Sequence, residues 1–252
     1  MSRPKGCYRL DIQYEGSAFH GWARQPDLVT VEGTLRDVLR TLVGFVPSLN
    51  VAGRTDAGVH ARRQVVSLHL PTGTDTVSLK RGLDALTPPA LSVLSVSVAA
   101  AGFNARRDTL SRSYRYFLWL SQTQNPFLAP YVWHVRMPLD LEAMQTAASL
   151  VTGLHDFTAF TPTHTEHLHF KRRVDRCLWR RRGQMVWLEI EAESFLRHMV
   201  RSLVGTLVDV GAGKRTPEDM ARLLEGASRD AGGLTAPPHG LCLWDVRYPS
   251  SP

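Results

Sequence analysis

Lysine is scarce in this chain. Of the 30 basic residues among 252, only Lys5, Lys80, Lys171 and Lys214 are lysine; the other 26 are arginine. Arginine offers a planar fork of donors that matches phosphate and stacks on bases, so a net charge of +7 carried this way points to a nucleic-acid partner. A GC-rich genome enriches arginine too, so the ratio alone fixes no function. Cysteine is as sparse: Cys7, Cys177 and Cys242 lie far apart, with no CxxC or zinc-like spacing, which suits a reducing cytoplasm. Long apolar runs are missing. The longest uncharged stretch, residues 85–105, is broken by Pro88 and Pro89 and dotted with Ser92, Ser95 and Ser97, too polar for a membrane span. The opening Met-Ser-Arg-Pro-Lys-Gly has no apolar core, so no secretory signal is expected. Repeats and low-complexity tracts are absent as well.

What is there is ordinary globular material, 43% apolar and 21% charged, long enough for a real core in one large or two modest domains. Tyr8, Leu10 and Ile12 alternate onto one face and predict an early strand over residues 8–14. Val31, Leu35, Val38, Leu39 and Leu42 fall on one stripe of a helix over Val31–Val43, with Thr30 as its N-cap. Strands are expected over residues 64–70, Leu91–Val98, residues 114–120, Lys171–Arg182 and Met185–Ala192. Leu141, Met144, Ala148 and Val151 predict a helix stopped by Gly153, and residues 195–210 predict a strongly apolar one closed by Gly211-Ala212-Gly213. Thr216-Pro217-Glu218-Asp219 is a helix start. Cys242, Trp244, Val246 and Tyr248 are expected to share the inner face of a last strand. One-sided strands favour antiparallel pairing, and strand–helix–strand–strand blocks occur twice. The expectation is an α+β fold of two similar α/β halves, residues 1–105 and 106–252, with a single domain as the alternative.

The sharpest local feature is Gly53-Arg54-Thr55-Asp56-Ala57-Gly58-Val59-His60, a tight turn offering one carboxylate beside one guanidinium. Asp and Gly also build turns for purely local reasons. The functional reading gains from a lack of competitors: there is no GxxxxGK[ST] loop, GxSxG elbow, HExxH or GxGxxG. His164, Glu166, His167 and His169 lie close together, but after Thr161-Pro162-Thr163 and with no second cluster at ligand spacing. A polar loop is the better reading, and no metal is expected. In Lys171–Arg182, Arg172, Arg176, Arg180 and Arg182 share even positions and either track phosphates or solubilise an outer face. Arg54, Arg62, Arg63, Arg106, Arg107, Arg112 and Arg115 add charge around the Asp56 turn and the Tyr114 strand, interleaved with aromatics as base stacking requires.

Taken together these residues resemble the TruA type of tRNA pseudouridine synthase. The similar blocks are Tyr14-Glu15-Gly16 with Phe19-His20-Gly21-Trp22, the Asp56 turn, Phe103-Asn104-Ala105-Arg106, Tyr114-Arg115-Tyr116, His155-Asp156-Phe157, Phe195-Leu196-Arg197-His198-Met199-Val200-Arg201 running to Gly205, and Gly240-Leu241. They follow family order over nearly the whole chain. Ala23, Glu32 and Asp84 depart from the family pattern, outside the catalytic set.

The resemblance implies isomerisation of uridine to pseudouridine at positions 38, 39 and 40 of the tRNA anticodon stem-loop, by a cytoplasmic homodimer using neither cofactor nor metal. It implies two α/β halves sharing an extended antiparallel sheet, helices on one side and a cleft between them. It makes Asp56 the essential carboxylate, attacking C1′ or removing the C2′ proton. Tyr114 would stack on the uracil, Arg201 pair with Asp56, Leu241 pack on the base and Arg54 lie near the flipped nucleotide. Arg62, Arg106, Arg112, Arg172 and Arg176 are the expected RNA contacts. The chemistry is coherent, because an apolar pocket opposes a carboxylate's charge and a paired Arg offsets that. A non-catalytic RNA-binding module would not need Asp56, and a metal-dependent nuclease or hydrolase would need the His164–His169 cluster.

Overall fold

The computed structural model describes residues 4–165 and 168–249. Among them, in chain order, run β1 (Lys5–Tyr14), α1 (Val31–Val43), β2 (Leu49–Val51), β3 (His60–Pro71), α2 (Thr76–Leu86), β4 (Leu91–Val98), β5 (Ser111–Leu120) and β6 (Trp133–Val135). There follow α3 (Leu141–Leu150), β7 (Gly153–Asp156), β8 (Lys171–Arg182), β9 (Met185–Ala192), α4 (Met199–Gly211), α5 (Pro217–Leu223) and β10 (Leu241–Arg247). The class is the expected one: mixed α and β with mostly antiparallel pairing, the short β6 running parallel to β5.

The chain divides into two compact units, Met1–Leu110 with Leu243–Pro252, and Ser111–Cys242. In the first unit the strand order is β4–β1–β3–β10, with β2 on β3. Leu10, Ile12, Val66, Leu68 and Leu70 are fully or almost fully buried, as are Val31, Leu35 and Leu39 from α1 and Leu83 from α2. Each such side chain contributes about 1.5–3 kcal/mol relative to exposure. Helix α1 starts where Thr30 accepts from the Gly33 amide and ends at Gly44 in the left-handed region. The pattern does not announce α2, whose apolar positions Val77, Leu79, Leu83 and Leu86 are diluted by Lys80, Arg81, Gly82 and Asp84.

In the second unit the order is β5–β9–β8–β7, with β6 beside β5. Val186, Leu188, Ile190 and Ala192 face inward along β9, as alternation predicts. Helix α5 carries the full capping box: Thr216 accepts from the Asp219 amide while the Asp219 carboxylate accepts from that of Thr216.

Three expectations need correction. The apolar helix begins at Met199, not at residue 195, because His198 adopts a positive φ of 59° that stops the helix on its N-terminal side. In β10 the buried residues are Leu241, Leu243 and Val246, while Cys242 and Trp244 are half-buried; the strand does not keep one parity. In β8 the pairing with β9 slips between Val174 and Arg176, so Val174 is buried on the even parity and Cys177 and Trp179 on the odd. The slip takes Arg172 off the exposed face shared by Arg176, Arg180 and Arg182.

Candidate active site

The Asp56 turn lies in the first unit and is clamped from below by the segment that follows β1. The Trp22 amide donates to the Thr55 carbonyl at 3.0 Å, and the Gly58 amide to the Phe19 carbonyl at 3.4 Å. Tyr14 and Thr55 share a buried hydroxyl–hydroxyl bond of 2.8 Å. Gln64 Nε2 donates to the Gly53 carbonyl at 2.7 Å and to the Tyr14 hydroxyl at 3.3 Å. His60 Nδ1 accepts from the Gly16 amide at 3.0 Å. Gly21 sits at φ 88°, and a Cβ there would lie 2.9 Å from the Thr55 carbonyl oxygen, so only glycine allows this approach. Inside the turn, the Val59 amide donates to the Asp56 carbonyl at 3.2 Å. Thr55 is thereby buried, Asp56 half-buried and Arg54 exposed. A carboxylate is held at the rim of a rigid turn, with a guanidinium two residues away.

The remaining candidates lie in the second unit. Tyr114 on β5 pairs with Ile190 on β9, is 7% exposed and meets the Phe195 ring edge-on at 5.1 Å. Arg112, Tyr114, Tyr116 and Leu118 share the buried parity of β5. Burial pushes the Tyr116 phenol far up from its ordinary pKa, against the pull of the nearby Arg201 guanidinium, so it stays a hydroxyl and donates to the Pro237 carbonyl at 2.8 Å. Arg201 on α4 donates from Nε to the Ala236 carbonyl at 2.8 Å, and its own carbonyl accepts from the Ala236 amide at 3.1 Å. The strap carrying Ala236 presses on α4 so closely that a Cβ on Gly205 would lie 1.7 Å from the Leu234 carbonyl oxygen. Arg201 and Tyr116 thus fix the strap that leads into Leu241, itself 6% exposed. Tyr114, Arg201 and Leu241 belong to the second unit; Asp56 and Arg54 belong to the first.

The arginines separate into kinds. Arg62 lies over the Trp244 ring at 4.8 Å. Arg106 is exposed on a turn whose Asn104 side chain accepts from the Arg106 and Arg107 amides. Arg112 is buried and donates to the Glu193 carbonyl. Arg115 and Arg176 both pair with Glu189, at 2.8 and 3.0 Å, and Trp187 Nε1 donates to the same carboxylate at 3.0 Å. Arg172 spends Nη1 on the carbonyls of His169 and Lys171, and burial lowers its pKa. Among the described residues no group of three His, Cys, Asp or Glu could hold a metal; Glu166 and His167 of the histidine cluster lie outside those residues.

The family model for tRNA pseudouridine synthase matches residues 147–249. The tRNA pseudouridine synthase A of Acidiphilium cryptum is 41% identical over 249 residues, covering 97% of each chain. That of Pelobacter propionicus is 39% identical over 240 residues, 95% of this chain and 98% of the relative. That of Syntrophotalea carbinolica is 37% identical, covering 95% of each. The chain belongs to the tRNA pseudouridine synthase A family.

Enzymes of this tRNA pseudouridine synthase family are isomerases acting on uridine in tRNA. The matched segment holds Arg201, Leu241, Arg172 and Arg176, whereas Asp56, Arg54 and Tyr114 fall in the part covered by the full-length relatives. Sequence reasoning missed the residues that position the candidates: Thr55, Gln64 and Gly21 under the turn, Glu189 between two arginines, and Tyr116 under the strap. Thr55, Gly21 and Tyr116 at least sit inside the short blocks; Gln64 and Glu189 carry no local signal. Among the described residues no helix is long and apolar enough to cross a membrane.

Proposed function

We propose that this protein isomerises uridine to pseudouridine at positions 38, 39 and 40 of the tRNA anticodon stem-loop, with Asp56 as the essential carboxylate and without cofactor or metal. The observation that carries the reading is the placement of Asp56, half-buried at the rim of a turn fastened on both sides by hydrogen bonds, in a chain similar over its length to the A-type synthases. A uridine in a stem must leave the stack before its glycosidic bond is reached, at a cost of a few kcal/mol. Asp56 then attacks C1′ or takes the C2′ proton; either way the N1–C1′ bond breaks. The uracil turns, C5 bonds to C1′, the C5 proton leaves and N1 takes up a proton. Tyr114 stacks on the base and assists removal of the C5 proton, Leu241 packs against it, and Arg201 balances the Asp56 charge. Arg54, Arg62, Arg106, Arg112, Arg172 and Arg176 contribute to RNA binding, Arg112 and Arg172 chiefly by holding backbone carbonyls in place. A cytoplasmic homodimer is the working form.

The test is incubation of an unmodified tRNA transcript with the enzyme in EDTA-containing buffer, followed by mapping of pseudouridine at nucleotide resolution. Wild type is expected to modify positions 38–40, and Asp56→Asn to modify none while still binding the transcript. Near-normal turnover by Asp56→Asn would remove the carboxylate from the mechanism. Loss with EDTA, restored by zinc, would overturn the metal-free reading, and product at other positions the anticodon assignment.

A further inference from the structure

In the first unit a second cluster of charge is built on β1, β3 and β10. Where β3 pairs with β1, Ile12 faces Gln64 but Tyr14 faces Ala61, so Gln13 stands opposite both Arg62 and Arg63. A regular strand would send these consecutive side chains to opposite faces; a bulge re-aims them. The Arg62 guanidinium covers Trp244, and among the described residues no carboxylate pairs with it. Arg63 is gripped by Asp11, from Nε at 3.1 Å and Nη2 at 2.9 Å, and its Nη1 reaches Asp245 at 3.4 Å. Asp11 also holds Arg9, from Nε at 2.6 Å and Nη2 at 3.1 Å, and Arg9 lies over the Tyr248 ring at 4.9 Å. The Asp11 side chain is 7% exposed, against 43% for Arg63 and 24% for Arg9.

One buried carboxylate therefore sets two half-open guanidiniums, each keeping unspent N–H donors on Nη1 and Nη2. The cluster stays net positive, three arginines against two aspartates. It also continues toward Arg106 and Arg107, because the Tyr248 hydroxyl donates to the Ala105 carbonyl at 2.6 Å. Pre-oriented forks that lose little freedom on binding suit phosphate oxygens.

We propose that Arg9, Arg62 and Arg63 form a docking point for the tRNA phosphate backbone, and that Asp11 is the positioning residue that aims Arg9 and Arg63. This rests on the tRNA reading above. Its decisive test uses the sign of a charge change. If only net charge mattered, Asp11→Asn would tighten RNA binding by removing a negative group. If Asp11 aims the arginines, Asp11→Asn weakens binding and raises KM for tRNA several-fold with kcat preserved. Arg63→Ala is expected to lower the slope of log affinity against log salt by about 0.7–0.9, and Arg63→Lys to keep most of the slope while KM still rises. Binding by Asp11→Asn as tight as wild type or tighter overturns the positioning role; a lower melting temperature with unchanged KM reduces Asp11 to a cross-strand staple and overturns it equally. Should Asp11→Asn fail to fold, the two Arg63 variants decide, an unchanged KM in both counting against the docking point. Pseudouridine formation by wild type in the same assay keeps the tRNA reading standing whatever the variants do.

Discussion

Asp56 stands out at the residue scale because it sits with Arg54 in a short turn bracketed by Gly53 and Gly58, and that much is legible in the sequence. What fastens the turn is not: Thr55, Gln64 and Tyr14 meet from three separate segments, and no local pattern links them. The departures Glu32 and Asp84 have local partners, Glu32 pairing with Arg36 and Asp84 with Lys80. Gly21 carries the sharpest expectation here. A methyl group at φ 88° and 2.9 Å from the Thr55 carbonyl must push the turn away. Gly21→Ala should therefore cost roughly 1–3 kcal/mol of stability and reduce kcat while tRNA affinity changes little. Melting temperature with single-turnover kinetics checks this, and unaltered kcat would mean that the turn tolerates displacement.

Elements are legible where burial is one-sided, as in α1 and β9, whose bounds the pattern gives directly. They are illegible where register changes, since a bulge depends on the partner strand and leaves no local mark. The slip in β8 splits the supposed arginine face. Arg176 is committed to Glu189 and Arg172 to backbone carbonyls, while Arg180 and Arg182 are exposed and, among the described residues, have no ion pair. If β8 meets RNA, Arg180→Ala with Arg182→Ala should flatten the salt dependence of tRNA binding by more than Arg172→Ala does, since each phosphate interaction removed lowers the slope by about 0.7–0.9. Equal slopes in both variants would make β8 a solvated face and leave tRNA binding to other strands.

Across the whole molecule, the least legible fact is that the first unit is closed by the far end of the chain. Residues 243–249 supply buried Leu243 and Val246, the strand beside β3, and the Asp245 partner of Arg63. The Arg247 carbonyl accepts from the Leu110 amide at 2.9 Å, and the Tyr248 ring meets Phe103 at 5.1 Å. No composition shift marks this return, because pairing across such a sequence separation is set by the fold and not by local propensity. Leu243 and Val246 alone account for about 1.5–3 kcal/mol each, a large share of a marginal total of about 5–15 kcal/mol. A chain ended at Cys242 should therefore lose protection in the first unit, including β1 and β3 beneath the Asp56 turn, while β9 and β8 keep theirs. Hydrogen exchange read element by element tests this, with loss of pseudouridine formation as the functional counterpart. Native protection of β1 and β3 in the shortened chain would show that the N-terminal segment stands alone, and that the last strand matters only locally.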